Sequence, residues 1–96
     1  MQISCQVNLF GGLQVAAGNK TVRLTLPAGA TVEQVLEELI ALYGNKMEVQ
    51  LKNMITREFV DYLLLINQKP VRLLANLDKP VQNGDELLVL SICSGG

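Results

Sequence analysis

Histidine is missing altogether, and cysteine occurs only twice, at Cys5 and Cys93. Without an imidazole there is no histidine-based catalytic group, and two thiols fall short of a tetrahedral zinc site, so no metal is expected. Charge is scarce as well. Only 18% of the residues are charged, the net charge is -1, and the basic residues are scattered singly from Lys20 to Lys79. A nucleic-acid binder needs a clustered basic face, so that partner class is excluded. No apolar run approaches the roughly eighteen residues of a membrane span. The opening Met1-Gln2-Ile3-Ser4-Cys5 lacks the basic start and apolar core of a secretory leader. A cytoplasmic chain with no membrane contact is expected. Repeats and low-complexity segments are absent too.

What is present is apolar: 49% of the 96 residues are hydrophobic. That length makes one domain with an adequate core, and the composition is the opposite of a disordered chain's.

Ile3, Cys5, Val7 and Leu9 alternate with Ser4, Gln6 and Asn8, the period of a strand with one buried face. Cys5 falls on the buried side and reads as a small core hydrophobe. Phe10-Gly11-Gly12 breaks that strand. After Gly18-Asn19, Val22, Leu24 and Leu26 alternate with Thr21, Arg23 and Thr25. Two such runs joined by a short, glycine-bearing connection predict an antiparallel hairpin.

Pro27-Ala28-Gly29-Ala30 ends the second strand, and Thr31 with Gln34 forms a capping box that opens a helix. Val32, Val35, Leu36, Leu39, Ile40 and Tyr43 make its apolar stripe, with Glu33, Glu37, Glu38 and Ala41 opposite and Gly44 as a left-handed stop. Residues 45–60 fit either an irregular helix or a strand, with a short helix and loop preferred. The consecutive apolar residues Tyr62 to Ile66 suit a strand covered on both faces. Asn67-Gln68-Lys69-Pro70 is turn chemistry, and Val71 to Leu77 has room for a short edge strand. Asn83-Gly84 predicts a tight turn before a last strand, Glu86 to Ile92.

The order is strand, strand, helix, then two or three strands, an α+β arrangement with the helix on one face of a mixed sheet. Beyond the last strand come Ser91-Ile92-Cys93-Ser94-Gly95-Gly96. At roughly 3.3 Å per extended residue these six reach about 20 Å, far enough to enter a partner. Two residues without Cβ pass through a channel too narrow for others. A terminal carboxylate is ionised at neutral pH and a poor electrophile, so any acyl chemistry there requires activation, as by adenylation with ATP.

These features together resemble the MoaD/ThiS family of ubiquitin-like β-grasp sulfur carriers, most nearly the small subunit of molybdopterin synthase. The matching residues are Val7-Asn8-Leu9-Phe10-Gly11, Ala30-Thr31-Val32, Leu65-Ile66-Asn67, Asn83-Gly84-Asp85-Glu86-Leu87 and Gly95-Gly96, spread over almost the whole chain. The resemblance implies a β-grasp domain over 1–90, with four to five strands and one main helix, and a flexible diglycine tail over 91–96. It implies a carrier rather than an enzyme, with no bound cofactor. Gly96 would be adenylated by a ubiquitin-activating-type enzyme (MoeB/ThiF-like) that uses ATP, then converted to a thiocarboxylate. Ile92, Cys93, Ser94 and Gly95 would be the tail that partners hold, among them a molybdopterin synthase large subunit (MoaE-like).

The tail also departs from the family pattern, because Ser91-Ile92-Cys93-Ser94 stand where MoaD-type carriers commonly have a proline pair and an alanine. Proline would fix φ and stiffen the exit. Cys93 there is either an ordinary reduced residue or half of a transient disulfide, with a partner or with Cys5 if the first and last strands are neighbours. Other functions fit the same chain: a thiamine or tRNA-thiolation carrier, a protein modifier joined to target lysines, or a non-conjugating interaction module.

Overall fold

The strict alternation in the first two strands buries one side of each and fixes their register. The computed structural model describes residues 1–90. Strand β1 (Gln2–Leu9) pairs antiparallel with β2 (Thr21–Pro27), from Gln2 opposite Pro27 to Asn8 opposite Thr21. Cys5, Val7, Leu9, Val22, Leu24 and Leu26 are all buried on the shared inner face.

The connection between these strands is not a short loop but a helix, α1 (Gly11–Ala17). Gly11-Gly12 hides it, since a glycine pair looks like a breaker. Leu13, Ala16 and Ala17 nevertheless recur at helical spacing and are buried. Gly18 closes the helix at φ 76°, donating its N–H to the Gln14 carbonyl at 2.8 Å.

Helix α2 (Val32–Tyr43) begins as expected: the Gln34 N–H donates to Thr31 Oγ1, and the Thr31 N–H donates to Gln34 Oε1. Val32, Val35, Leu36 and Leu39 are buried, and Ile40 and Tyr43 pack at the edge of the core. Gly44 does stop the helix, but at φ 74° and ψ -150°, a region essentially closed to side chains, rather than in the left-handed helical well. That angle turns the chain straight into α3 (Asn45–Leu51), which buries Met47 and Leu51 completely. The preferred helix-and-loop reading of 45–60 therefore holds. The loop is shaped by Asn53, whose Oδ1 accepts the N–H groups of Ile55 and Thr56.

Strands β3 (Leu63–Ile66) and β4 (Lys69–Arg72) form a hairpin around Asn67 and Gln68, both at positive φ, 51° and 73°. A short 3₁₀ turn (Leu74–Asn76) follows, and β5 (Glu86–Leu90) completes a five-stranded sheet in the order β2-β1-β5-β3-β4. β4 is one of the two edge strands and carries Pro70, as an edge permits.

The Asn83-Gly84 turn does not make a hairpin with the preceding strand. Gly84, at φ 88°, donates its N–H to the Ser4 carbonyl, and Asn83 Oδ1 accepts the Ser4 N–H. The turn thus delivers β5 alongside β1, parallel to it, with β3 antiparallel on its other side. β3 is correspondingly not covered on both faces: Leu64 is buried, but Leu63 and Leu65 are only half-buried on a side that no helix shields.

Candidate functional site

The predicted site residues Ile92, Cys93, Ser94, Gly95 and Gly96 lie outside the described residues. The structure defines the platform from which they follow. β5 lies between β1 and β3 and ends at Leu90, at the edge of the sheet where β1 ends and β3 begins. Val89 stands opposite Leu9, and Leu90 opposite Leu63.

Registers across the sheet place the outer-face side chains in rows. Next to the exit, Leu90 and Leu63 stand opposite each other, with Arg72 beyond Leu63 on β4. Phe10, just past the end of β1, is 57% exposed. One step back, Leu88 lies between Asn8 and Leu65, with Thr21 and Pro70 at the outer strands. A further step back the row is polar: Arg23, Gln6 and Glu86. The outer face is therefore apolar where the tail departs and hydrophilic away from it. Leu63, Leu65, Leu88 and Leu90 were not legible as one half-buried outer patch, because consecutive apolar residues imply cover on both sides. The available signal was the contrast with β1 and β2, whose outer positions are all polar or proline.

At the exit lies a groove of ≈ 410 Å³ lined by Phe10, Gly11, Gly12, Leu13, Gln50, Tyr62 and Leu90. The Tyr62 hydroxyl donates to the Gln50 carbonyl, tying the residue just before β3 to α3. The Gln50 carboxamide lies over Gly12, in the space that a Cβ there would enter. Burial pushes the Tyr62 phenol up, so it stays protonated as a donor.

Cys5 is 2% exposed, and burial, with Asp85 adding to it, pushes its thiol up. A protonated, enclosed thiol is a poor nucleophile, as expected of a core hydrophobe. β1 and β5 are indeed neighbours, but Cys5 faces the core near the start of β5, where Gln6 stands opposite Glu86, whereas the tail follows the other end. Cys93, the other half of the candidate disulfide, lies outside the described residues. Among the described residues no group of acidic or cysteine side chains is arranged to hold a metal ion, and no helix is long and apolar enough to cross a membrane.

A five-stranded mixed sheet with helices on one face, a central last strand and an uncovered outer face defines a ubiquitin-like β-grasp protein. The sequence model of the ThiS family matches residues 7–96, and the chain belongs to that family. Its members are small ubiquitin-like sulfur carriers and modifiers that act with adenylating enzymes of the ubiquitin-activating type. Among solved structures, SAMP1 from Haloferax volcanii superposes with a TM-score of 0.80 at 29% identity, over 97% of this chain and 99% of that one. The small archaeal modifier protein 1 (SAMP1) from Methanosarcina acetivorans gives a TM-score of 0.74 at 26% identity, covering 100% and 99%. A putative molybdopterin converting factor subunit 1 from Pyrococcus furiosus shares the fold with a TM-score of 0.69 at 21% identity, covering 93% and 97%. No curated protein matches the chain.

Proposed function

We propose that the chain carries sulfur as a thiocarboxylate on Gly96. The observation that carries this reading is the family match running through residue 96, and so through Gly95-Gly96, in a chain whose central strand ends at Leu90 beside an apolar patch. The tail departs from an anchored strand, not from a frayed edge.

The chemistry follows from the carboxylate. Its oxygen attacks the α-phosphorus of ATP on the activating enzyme, pyrophosphate leaves, and the acyl adenylate becomes electrophilic at the glycine carbon. Hydrosulfide adds there, AMP departs with the bonding pair, and loss of the S–H proton leaves the thiocarboxylate. Ile92, Cys93, Ser94 and Gly95 form the strip along which the partner aligns that carbon, and Leu63, Leu65, Leu88 and Leu90 dock the body so that it arrives in register. Burying such a patch favours association by about 25 cal/mol per Å² of apolar area removed from water, before the costs of association.

For the acceptor, the first reading is a pterin precursor of the molybdenum or tungsten cofactor, with a MoaE-like large subunit receiving the tail. A second is supported by the likeness to the archaeal modifiers SAMP1: the same adenylate attacked by a lysine amine, giving an isopeptide bond. Two measurements separate them. Deleting the gene and assaying a molybdoenzyme loses activity under the first reading. Under the second, an epitope-tagged chain yields a ladder of conjugates that survives reducing denaturation and disappears when Gly96 is removed.

A further inference from the structure

Glu86 lies in none of the roles assigned above. Its carboxylate is fixed on the outer face: Oε2 accepts from Gln6 Nε2 at 3.1 Å and from Asn8 Nδ2 at 3.3 Å. Gln6 Nε2 also donates to Asn8 Oδ1, and Thr21 Oγ1 donates to the same Asn8 oxygen. Two β1 side chains thus hold one carboxylate oxygen of β5, and Thr21 of β2 braces one of them, Asn8. All of the donors are neutral, so the negative charge is oriented but not neutralised. The ion pairs among the described residues are Lys52 with Glu37, Arg57 with Glu48 and Arg72 with Asp61, and none includes Glu86. Arg23 shares a neighbouring hollow with Asp85 and Glu86 without pairing to either.

The location matters as much as the charge. Glu86 lines a hollow of ≈ 180 Å³ with Asn8, Leu65, Gln68 and Leu88, at the boundary between the apolar and polar rows. A held charge beside an apolar floor suits one kind of complement: a guanidinium or ammonium on a stem that lies along Leu65 and Leu88.

We propose that Glu86 is a specificity-determining contact that receives an arginine or lysine of the activating enzyme, setting the carrier's orientation on it. The inference rests on the reading of the chain as an adenylated carrier. Gln6, Asn8 and Thr21 act through Glu86 as positioning residues. Neutralising a charge at such an interface changes encounter rate and salt dependence more than turnover.

The test uses the full chain and the adenylating enzyme that supports ATP–pyrophosphate exchange with the wild-type carrier. Glu86→Gln is expected to raise the KM for the carrier about ten-fold, leave kcat unchanged and flatten the dependence of KM on salt. Glu86→Asp is expected to recover most of the salt dependence. Glu33→Gln, which removes the same charge from α2 on the other side of the sheet, is expected to behave as wild type. Melting curves of all three variants check that they fold. A Glu86→Gln carrier with wild-type KM and salt slope overturns the proposal while leaving the carrier reading in place. A rise in KM that Glu86→Asp and Glu86→Gln share equally, independent of salt, overturns it too, since shape rather than charge would then be read. A wild-type chain that supports no exchange with any adenylating enzyme of its source sinks both.

Discussion

Asn67 shows how single side chains hold the central strand in place. Its Nδ2 donates to Asp85 Oδ1 and its Oδ1 accepts the Glu86 N–H, each at 2.9 Å, so one amide ties the β3–β4 turn to the start of β5. Its backbone also adopts positive φ, which asparagine tolerates better than most residues. Asn67→Ala loses both bonds and the backbone preference, and is expected to cost about 1–3 kcal/mol in urea unfolding. A cost near zero would show the clip to be incidental. Cys5 makes a separate prediction. Its folded-state pKa is raised by burial and by Asp85. Below the ordinary thiol pKa both states hold the proton and this residue adds no pH dependence. Above it the unfolded chain ionises first, so stability falls with rising pH until the folded thiol also titrates. Cys5→Val is expected to lessen that alkaline slope, with Tyr62, also raised, supplying part of the remainder. Equal slopes in the two proteins would contradict the assignment.

Among the elements, those with strict periodicity were legible. The capping box at Thr31 and Gln34, the α2 stripe and the alternation in β1 and β2 each report one buried face, and each appears where its period puts it. Two features escaped for a common reason: local signals describe a segment and not its surroundings. Gly11-Gly12 reads as a break, yet Leu13, Ala16 and Ala17 find a core against α3, and tertiary burial outweighs the poor propensity. Leu63 to Ile66 reads as doubly covered, yet its outer side carries no helix, because an apolar run does not report which element lies over each of its faces. The tail was legible only as chemistry, through Gly95 and Gly96. The two faces of β5 make this testable. Leu87, 1% exposed on the inner side, is expected to lose about 2–5 kcal/mol as Leu87→Ala. Leu88→Ala, next door on the outer side, is expected to shift unfolding by under about 1 kcal/mol, in keeping with partial burial, while raising the KM for activation. Equal destabilisation would mean that the outer face serves folding and not docking.

At the scale of the whole molecule, the fold separates stability from chemistry. The core lies between the helices and the inner face of the sheet, the rows proposed to dock lie on the outer face, and the residue proposed to react lies beyond Leu90, past the last described strand. Removing Gly96 therefore is expected to leave the melting temperature unchanged and to abolish activation completely. The most direct test is intact-mass spectrometry of the full chain before and after incubation with ATP, a sulfur donor and its adenylating enzyme, with fragmentation to locate the change. The account predicts a gain equal to one oxygen-to-sulfur exchange, located on Gly96 and absent without ATP. An unchanged mass with an enzyme that does adenylate the chain, or a sulfur adduct on Cys93 in place of Gly96, would contradict it.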